Sequence, residues 1–310
     1  MKSALSPIDR SGLEPCSMLF VPADTDRFLA KAGQRGADAL ILDLEDAVAR
    51  TSKAQARANL ARFVPHLKAS GVPVHVRINK DPALCPADLE AAVRAGADGL
   101  LMPKVDTVEE IAWLDSQLLR LESTYERPPG HMPVIALIES PLGLSNVTAI
   151  ARACERLTAL VFGVEDFGAA MSMETHPDGM TVPAQLMAFA AAASGLQPMG
   201  LAGSVADFSD LDAYRKVALH ARRIGMRGAV CIHPSQVPIL NEVFGGSDEE
   251  AAQARALLEV FDASVAAGRG AVAHQGRMID EPIAIRARRF LSRREALLAR
   301  RKFAEGHRST

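Results

Sequence analysis

Apolar residues in this chain come in short unbroken runs, and polar residues gather where the runs stop. Pro133-Val-Ile-Ala-Leu-Ile138 ends in Glu139, and Leu160-Val-Phe-Gly-Val164 is followed by Glu165-Asp166. Runs without polar alternation are the pattern of strands buried on both faces, as in a parallel sheet. Such runs predict strands at 17–21, 39–44, 74–78, 99–102, 134–138, 159–162, 198–201 and 229–232. Amphipathic stretches between them predict helices over 26–35, 52–69, 86–95, 107–121, 143–156, 184–193 and 211–224. Gly36, Gly71, Gly96 and Gly225 fall where helices end, at C-cap positions. Strict alternation of eight strands with helices predicts an α/β fold, a (β/α)8 TIM barrel. A doubly wound open sheet is the alternative topology.

The pattern changes after Asn241. Gly245-Gly246-Ser247-Asp248 marks a break, with Ser247 or Asp248 as a helix cap. Residues 248–266 predict one helix, 268–276 a flexible connection, 282–303 a basic helix, and 305–310 a frayed end. The chain thus divides into a barrel, 1–245, and a C-terminal helical arm, 246–310. The arm exceeds what a barrel needs, so it is expected to pack on a neighbouring subunit or close over a site.

Composition narrows the classes. With 310 residues, 48% hydrophobic and 23% charged, the chain is an ordinary globular protein with a full core. A net charge of -2 gives no bulk attraction to nucleic acid or an anionic membrane, and 5% aromatics disfavours base stacking. No apolar run approaches the roughly 20 residues of a membrane span. Met1-Lys2-Ser3-Ala4 leads into proline and charge rather than a secretory core. Cys16, Cys85, Cys154 and Cys231 are too dispersed for a CxxC pair or a zinc knuckle, which predicts a reduced, cytoplasmic protein.

In a barrel, chemistry sits at the C-terminal ends of the strands. Those ends carry Asp24; Asp43, Glu45 and Asp46; Arg77 and Asn79; Lys104; Glu139 and Ser140; Glu165 and Asp166; and His233. Each also has a structural reading. Asp24, Asp46 and Asp166 suit helix N-caps, Arg77 an ion pair, Lys104 solvent, and His233 a hydrogen bond. Glu139 fits a cap poorly, because Glu is a weak N-cap. Convergence of so many strand ends on one rim favours a site. The oxygen ligands Glu139 and Asp166 suit a hard divalent cation, Mg2+ first, with water in the remaining positions. Arg77 offers a planar fork for a carboxylate or a polarised carbonyl. Glu45 and Asp46 are placed to hydrogen-bond metal-bound water. Together these suit chemistry through an enolate: carbon–carbon cleavage of a hydroxy acid, or the reverse addition.

Several segments match a known pattern in order. They are Leu19-Phe20-Val21-Pro22, Ala37-Asp38-Ala39 through Asp46-Ala47-Val48, Val76-Arg77-Ile78-Asn79, Met102-Pro103-Lys104-Val105, Ile138-Glu139-Ser140, Phe162-Gly163-Val164-Glu165-Asp166, Ile232-His233-Pro234-Ser235-Gln236 and Gly276-Arg277-Met278-Ile279-Asp280. On these segments the chain resembles the citrate lyase beta-subunit family, which includes malyl-CoA and citramalyl-CoA lyases. The family is similar to the broader two-keto acid aldolase and pyruvate-kinase-like barrels.

The resemblance implies Mg2+ on Glu139 and Asp166 and a homotrimer or homohexamer. It implies that Arg77 meets the substrate near the thioester carbonyl, with Lys104 and Ser140 as further substrate contacts. It also implies that Asp280 arrives from a neighbouring subunit and transfers a proton at the enolate carbon; by itself Asp280 reads as an N-cap. Cys16 and Ala23 stand where the family has Arg and Gly, and that Arg is expected to touch acyl-CoA phosphates. Leu201-Ala202-Gly203-Ser204 stands where the family often has an Asp.

The expected activity is a Mg2+-dependent lyase acting on a malyl-, citramalyl- or citryl-CoA type thioester. It would release acetyl-CoA and a 2-keto acid by retro-Claisen chemistry. Alternatives are a metal-dependent aldolase on a free hydroxy-keto acid, motivated by Cys16, a malyl-CoA-type thioester hydrolase, and a non-catalytic ligand binder. Mutating Arg77, Glu139 or Asp166 is expected to abolish turnover without unfolding the protein.

Overall fold

Strands buried on both faces need helices outside and one another inside, and this chain meets both needs by closing its sheet. The computed structural model describes residues 14–308. Its parallel strands are β1 Ser17–Pro22, β2 Ala39–Asp43, β3 Val74–Arg77, β4 Gly99–Met102, β5 Val134–Ile138, β6 Leu157–Phe162, β7 Gln197–Gly200 and β8 Ala229–Cys231. They lie in the order β7-β6-β5-β4-β3-β2-β1-β8. Across the seam, Arg227 N–H donates to Pro198 O and Gly200 N–H to Gly228 O, both at 2.9 Å. The topology is the barrel, not the open sheet.

Around it run α1 Asp26–Ala32, α2 Lys53–Lys68, α3 Cys85–Ala95, α4 Val108–Thr124, α5 Pro141–Ser145, α6 Val147–Ile150, α7 Val164–Met171, α8 Pro177–Ala193, α9 Leu211–Arg223 and α10 Val237–Gly245. The helix expected over 143–156 is instead the short pair α5 and α6. Their junction is Asn146, whose side-chain amide donates to Asp106 O at 2.8 Å. α8 begins earlier than expected, at Pro177, where a fixed φ suits the first turn.

Alternation along the strands makes two cores. Met18, Ile41, Leu101, Ile135, Leu137, Val161 and Met199 fill the barrel interior. Leu19, Leu40, Leu42, Val76, Leu100, Ala136 and Ile138 pack outward against the helices. The inward register runs on past the apolar layers. The next inward step after Ile41 is Asp43, after His75 it is Arg77, and after Leu137 it is Glu139. The polar rim is therefore the top layer of the same stack that fills the barrel.

The arm consists of α11 Asp248–Ala266, a hairpin of β9 Ala271–His274 and β10 Arg277–Asp280, and α12 Glu281–Arg308. Ser247 caps α11, and Glu250 closes the capping box. The flexible connection expected over 268–276 is thus partly β9 and its turn. Gln275 and Gly276 both adopt positive φ, 47° and 74°, as a two-residue type I′ turn requires. Ile279 packs on Phe261 and Ala284, giving the hairpin a small core with the arm helices. α12 then crosses the N-terminal end of the barrel. Arg293 donates to Phe244 O at 2.9 Å, and Arg301 grips Asp38 at 2.7 and 3.0 Å. α12 continues to Arg308 rather than fraying at 305. Residues 309–310 and 1–13, including the Met1–Ala4 stretch, lie outside the described residues. Among the described residues no helix is long and apolar enough to cross a membrane.

His75 lies low in the barrel opposite Gly99, where a Cβ would come within 2.6 Å of its ring. Burial, which penalises the imidazolium, pushes its pKa down to about 4, with Asp98 pulling the other way. The unfolded chain takes up this proton below about 6.5. Between those values the unfolded state binds more protons, so stability falls as pH drops from 6.5 to 4. The loss is roughly 3 kcal/mol at 1.36 kcal/mol per unit. His75→Gln should remove this component, so urea titrations at pH 7 and pH 4 should show a smaller pH dependence in the variant by about that amount.

Candidate active site and metal centre

Asp43 ends β2 with no exposure to water. One carboxylate oxygen accepts Glu45 N–H at 2.9 Å and the other Ala47 N–H at 3.0 Å. Arg77 completes it as a bidentate fork, Nε to Oδ1 at 2.7 Å and Nη2 to Oδ2 at 2.6 Å. Nη1 of Arg77 lies 2.9 Å from Glu45, and Phe20 covers the guanidinium, its ring centroid 4.6 Å away. A guanidinium has five N–H donors. Asp43 takes two, which leaves three, two on Nη1 and one on Nη2; Glu45 lies at ion-pair distance from Nη1 without a hydrogen bond to its Oε2. Burial works against the Arg77 charge, but Asp43 outweighs it and raises the proton affinity. Arg77 is a permanent cation.

The loop after β2 is fastened from behind. Lys53 donates to Leu44 O and Glu45 O, both at 2.6 Å, and Asn79 donates to Leu44 O at 2.8 Å. This presents Glu45 and Asp46 to Lys104, whose Nζ lies 2.6 Å from Glu45 and 3.2 Å from Asp46. Burial raises the Glu45 pKa, with Arg77 and Lys104 opposing. Burial also resists ionisation of Asp46, but the Lys104 hydrogen bond prevails and holds its pKa low. Neither Asp46 nor Asp24 caps a helix: Asp46 pairs with Lys104, and Asp24 accepts from Thr25 Oγ1 at 3.0 Å.

Glu139 is 3% exposed and faces Asp166, which lies in the first turn of α7 rather than at its cap. Burial first, then the Asp166 charge, pushes the Glu139 pKa up to about 9. Gly163 makes the room: a Cβ there would fall 2.5 Å from both Cβ and Oε2 of Glu139. Lys104 N–H donates to Glu139 Oε1 at 2.7 Å. Lys104 therefore touches both halves of the rim, the Glu139–Asp166 pair through its backbone and the Glu45–Asp46 pair through its ammonium.

A buried and a half-buried carboxylate that repel each other fit a bound divalent cation, which would satisfy both. Among the described residues no cluster of three or more His, Cys, Asp or Glu is set to hold a metal. Glu139 and Asp166 would offer such a cation two oxygen ligands, with its other positions left to water or substrate. That is the habit of Mg2+ rather than of a structural zinc.

Other expected residues have local duties. Ser140 caps α5, accepting Gly143 N–H at 2.9 Å, and its hydroxyl donates to Asp106. Glu165 accepts from Ser204 Oγ at 2.6 Å and Val205 N–H at 3.0 Å, which fastens the loop after β7. His233 caps the turn Pro234–Gln236 and stacks on Phe208 at 4.5 Å. Asp280 Oδ1 accepts Ile283 N–H at 3.4 Å. Among the described residues no hydrogen bond or ion pair joins Asp280 to Arg77, Glu139 or Asp166.

Cys16 corrects an expectation. It lies at the foot of β1, fully buried, with its sulfur 3.6 Å from Arg293. That is the end of the barrel opposite the rim, so its replacement of Arg says nothing about acyl-CoA phosphates at the site.

Sequence reasoning gave no role to Asp43, Lys53, Lys80 or Asp106. Asp43 was legible in principle, since it is the inward step after Ile41. The partners of the lysines come from other loops, which local spacing does not reveal.

The expectation that Arg77 can be lost without unfolding also changes. Arg77→Ala leaves Asp43 buried and unpaired, at a cost of about 3–5 kcal/mol. Urea denaturation should show that loss, whereas Glu139→Gln and Asp166→Asn should unfold near the wild-type midpoint.

A family model described as HpcH/HpaI aldolase/citrate lyase matches residues 16–234. Citrate lyase subunit beta of Escherichia coli (strain K12) is 34% identical over 282 residues, 90% of this chain and 93% of that protein. L-malyl-CoA/beta-methylmalyl-CoA lyase of Rhodobacter capsulatus is 32% identical over 283 residues, covering 84% and 89%. Among solved structures, CitE of Mycobacterium tuberculosis in complex with magnesium, acetoacetate and coenzyme A superposes with a TM-score of 0.72 at 30% identity. It covers 92% of this chain and 99% of that one. The M. tuberculosis citrate lyase beta subunit complexed with oxaloacetate and magnesium gives 0.62 at 27% identity, covering 76% and 99%. The rim built on Arg77, Glu139 and Asp166 thus sits in a chain that belongs to the HpcH/HpaI aldolase/citrate lyase family.

Proposed function

We propose that this protein is a Mg2+-dependent lyase that cleaves a hydroxy-carboxyacyl-CoA, of malyl-, citramalyl- or citryl-CoA type, to acetyl-CoA and a 2-keto acid. The observation that carries it is Arg77, a permanent cation with three N–H donors not taken by Asp43, linked through Glu45 and Lys104 to a carboxylate pair fit for Mg2+. Mg2+ at Glu139 and Asp166 supplies a Lewis acid for the oxygens of the keto-acid portion.

The substrate hydroxyl gives up its proton to water as its oxygen becomes the keto carbonyl, and the breaking carbon–carbon bond leaves its electron pair on the acetyl fragment as an enolate. Arg77 faces that charge with donors already aimed and no reorganisation to perform. Glu45 and Asp46 keep Lys104 in place, and Lys104 and Ser140 line the substrate side of the rim. Asp280 of a neighbouring copy protonates the enolate carbon.

A homotrimer or homohexamer suits this arrangement. Val182, Leu186 and Phe189 form an apolar stripe on α8 and are 50–62% exposed, a face that calls for a partner surface. The barrel spans 1–245 and the arm 246–310, with α12 of the arm fastened to the barrel foot. The position of Cys16 removes the motive for a free-acid aldolase, and the coenzyme A bound by the M. tuberculosis relative favours a thioester. The four free cysteines fit a cytoplasmic protein.

Incubation with Mg2+ and a panel of hydroxyacyl-CoA thioesters and free acids, read by mass spectrometry, tests the reaction. Acetyl-CoA with a 2-keto acid is expected, and excess EDTA should abolish it. Free CoA with an intact hydroxy acid would select the hydrolase instead, and full activity in EDTA would sink the metal assignment.

The role of Asp280 is open to complementation. Glu139→Gln and Asp280→Asn chains should each be inactive alone, and their co-expressed mixture should regain turnover. A mixture as inactive as its parents would place the proton donor elsewhere.

A further inference from the structure

Lys104 is one of the few residues other than glycine with positive φ, at 52°. Such a conformation is strained for a side chain with a Cβ and persists only where its surroundings impose it. Here φ sets the angle between two peptide groups. The Lys104 N–H points to Glu139 Oε1 at 2.7 Å, while its carbonyl turns to the other side and meets Lys80 Nζ.

Lys80 is the first residue after Asn79 at the end of β3. Its ammonium has three donors. Their acceptors are Lys104 O, Asp106 Oδ2 at 2.8 Å and Glu110 Oε1 at 2.7 Å. The remaining Asp106 oxygen accepts from Ser140 Oγ, and Asp106 N–H donates to Glu110 Oε2 at 2.8 Å. One ammonium thereby joins the loops after β3, β4 and β5. Burial disfavours the Lys80 charge, but Asp106 and Glu110 prevail and keep it protonated.

We propose that Lys80 is a positioning residue of the metal centre: by gripping the Lys104 carbonyl it holds Lys104 in its left-handed turn, so that the Lys104 N–H stays on Glu139 and the Lys104 ammonium on Glu45 and Asp46. Without Lys80, the Lys104 backbone is free to relax to negative φ. Its N–H then leaves Glu139, and a buried ligand carboxylate loses the donor that orients it. This rests on the reading of Glu139 and Asp166 as the divalent-cation ligands. A bulk ion pair would not serve, because a carbonyl at that point needs a directed donor.

Mn2+ binding to the full chain, followed by calorimetry without substrate, tests the proposal apart from turnover. Lys80→Met should weaken Mn2+ binding about tenfold or more, the usual effect of removing a residue that orients a metal ligand. Its urea-unfolding midpoint in EDTA should stay near wild type. Lys80→Arg, which keeps a cationic donor, should recover most of the affinity. Wild-type Mn2+ binding by Lys80→Met would overturn the proposal and leave the metal site standing. Equal loss in Lys80→Arg and Lys80→Met would also overturn it, because a directed donor would then not be what matters. If the wild-type chain bound no Mn2+, the metal reading and this proposal would fall together.

Discussion

Asp43 has no contact with water, so its charge must be met inside the protein. Arg77 meets it, and most of the rim follows from that contact. The fork fixes the plane of the guanidinium. The two backbone N–H groups on the same carboxylate fix the loop that carries Glu45 and Asp46. Glu45 then touches both Arg77 and Lys104. A buried ion pair is weak evidence of stabilisation, because desolvating two charges costs about as much as their attraction returns. Its retention at the top of an apolar barrel is better explained by what it prepares: a cation held in one orientation, ready for negative charge that exists only during reaction.

The two ends of the barrel handle charge in opposite ways. At the rim, Asp43, Glu45, Asp46, Glu139 and Asp166 face the cations Arg77 and Lys104. Burial and the neighbouring Asp166 charge push the Glu139 carboxyl up to about 9, so it is relieved either by a proton or by a bound cation. At the other end α12 lays Arg293 and Arg301 across the strand starts, and Arg301 neutralises Asp38, itself bonded to the Cys16 N–H at 2.8 Å. One end is closed by an arginine-rich helix, and the other is left short of positive charge. Barrels of this class keep chemistry at the C-terminal ends of their strands, and the separation lets the rim stay unbalanced without loosening the foot.

The parts that sequence disclosed were those governed by local rules. Unbroken apolar runs located the strands, and Gly36, Gly71, Gly96 and Gly225 do adopt the positive φ expected after helices. The hairpin of the arm escaped because Ala271-Val272-Ala273-His274 is short and small, and its turn uses Gln275 where Asn or Asp would have signalled it. Cys16 precedes β1 and so belongs to the end of the barrel away from the chemistry; the link to acyl-CoA came only from the resemblance. Lys104 was read as a substrate contact or a solvated side chain. Its double grip depends on Glu139 and Glu45, 35 and 59 positions away. Asp280 is the limiting case: its proposed partners belong to another copy of the chain, so neither local pattern nor a single fold brings them together.

The same charge balance bears on why a proton donor would come from outside. A sixth carboxyl built permanently into this rim would add to the repulsion that Glu139 and Asp166 already show. Its proton affinity would be set by the metal and by its acidic neighbours, whatever the state of the substrate. An acid on the arm of a neighbouring copy is held outside that cluster by its own hairpin. Asp280 sits where a two-residue turn and the first turn of α12 hold it rigidly, on a hairpin with its own small core. The acid's setting is thus built within an arm that α12 anchors to the foot of its own barrel. On the proposed reading, a neighbouring copy supplies the proton, and the rim needs to supply only orientation and charge.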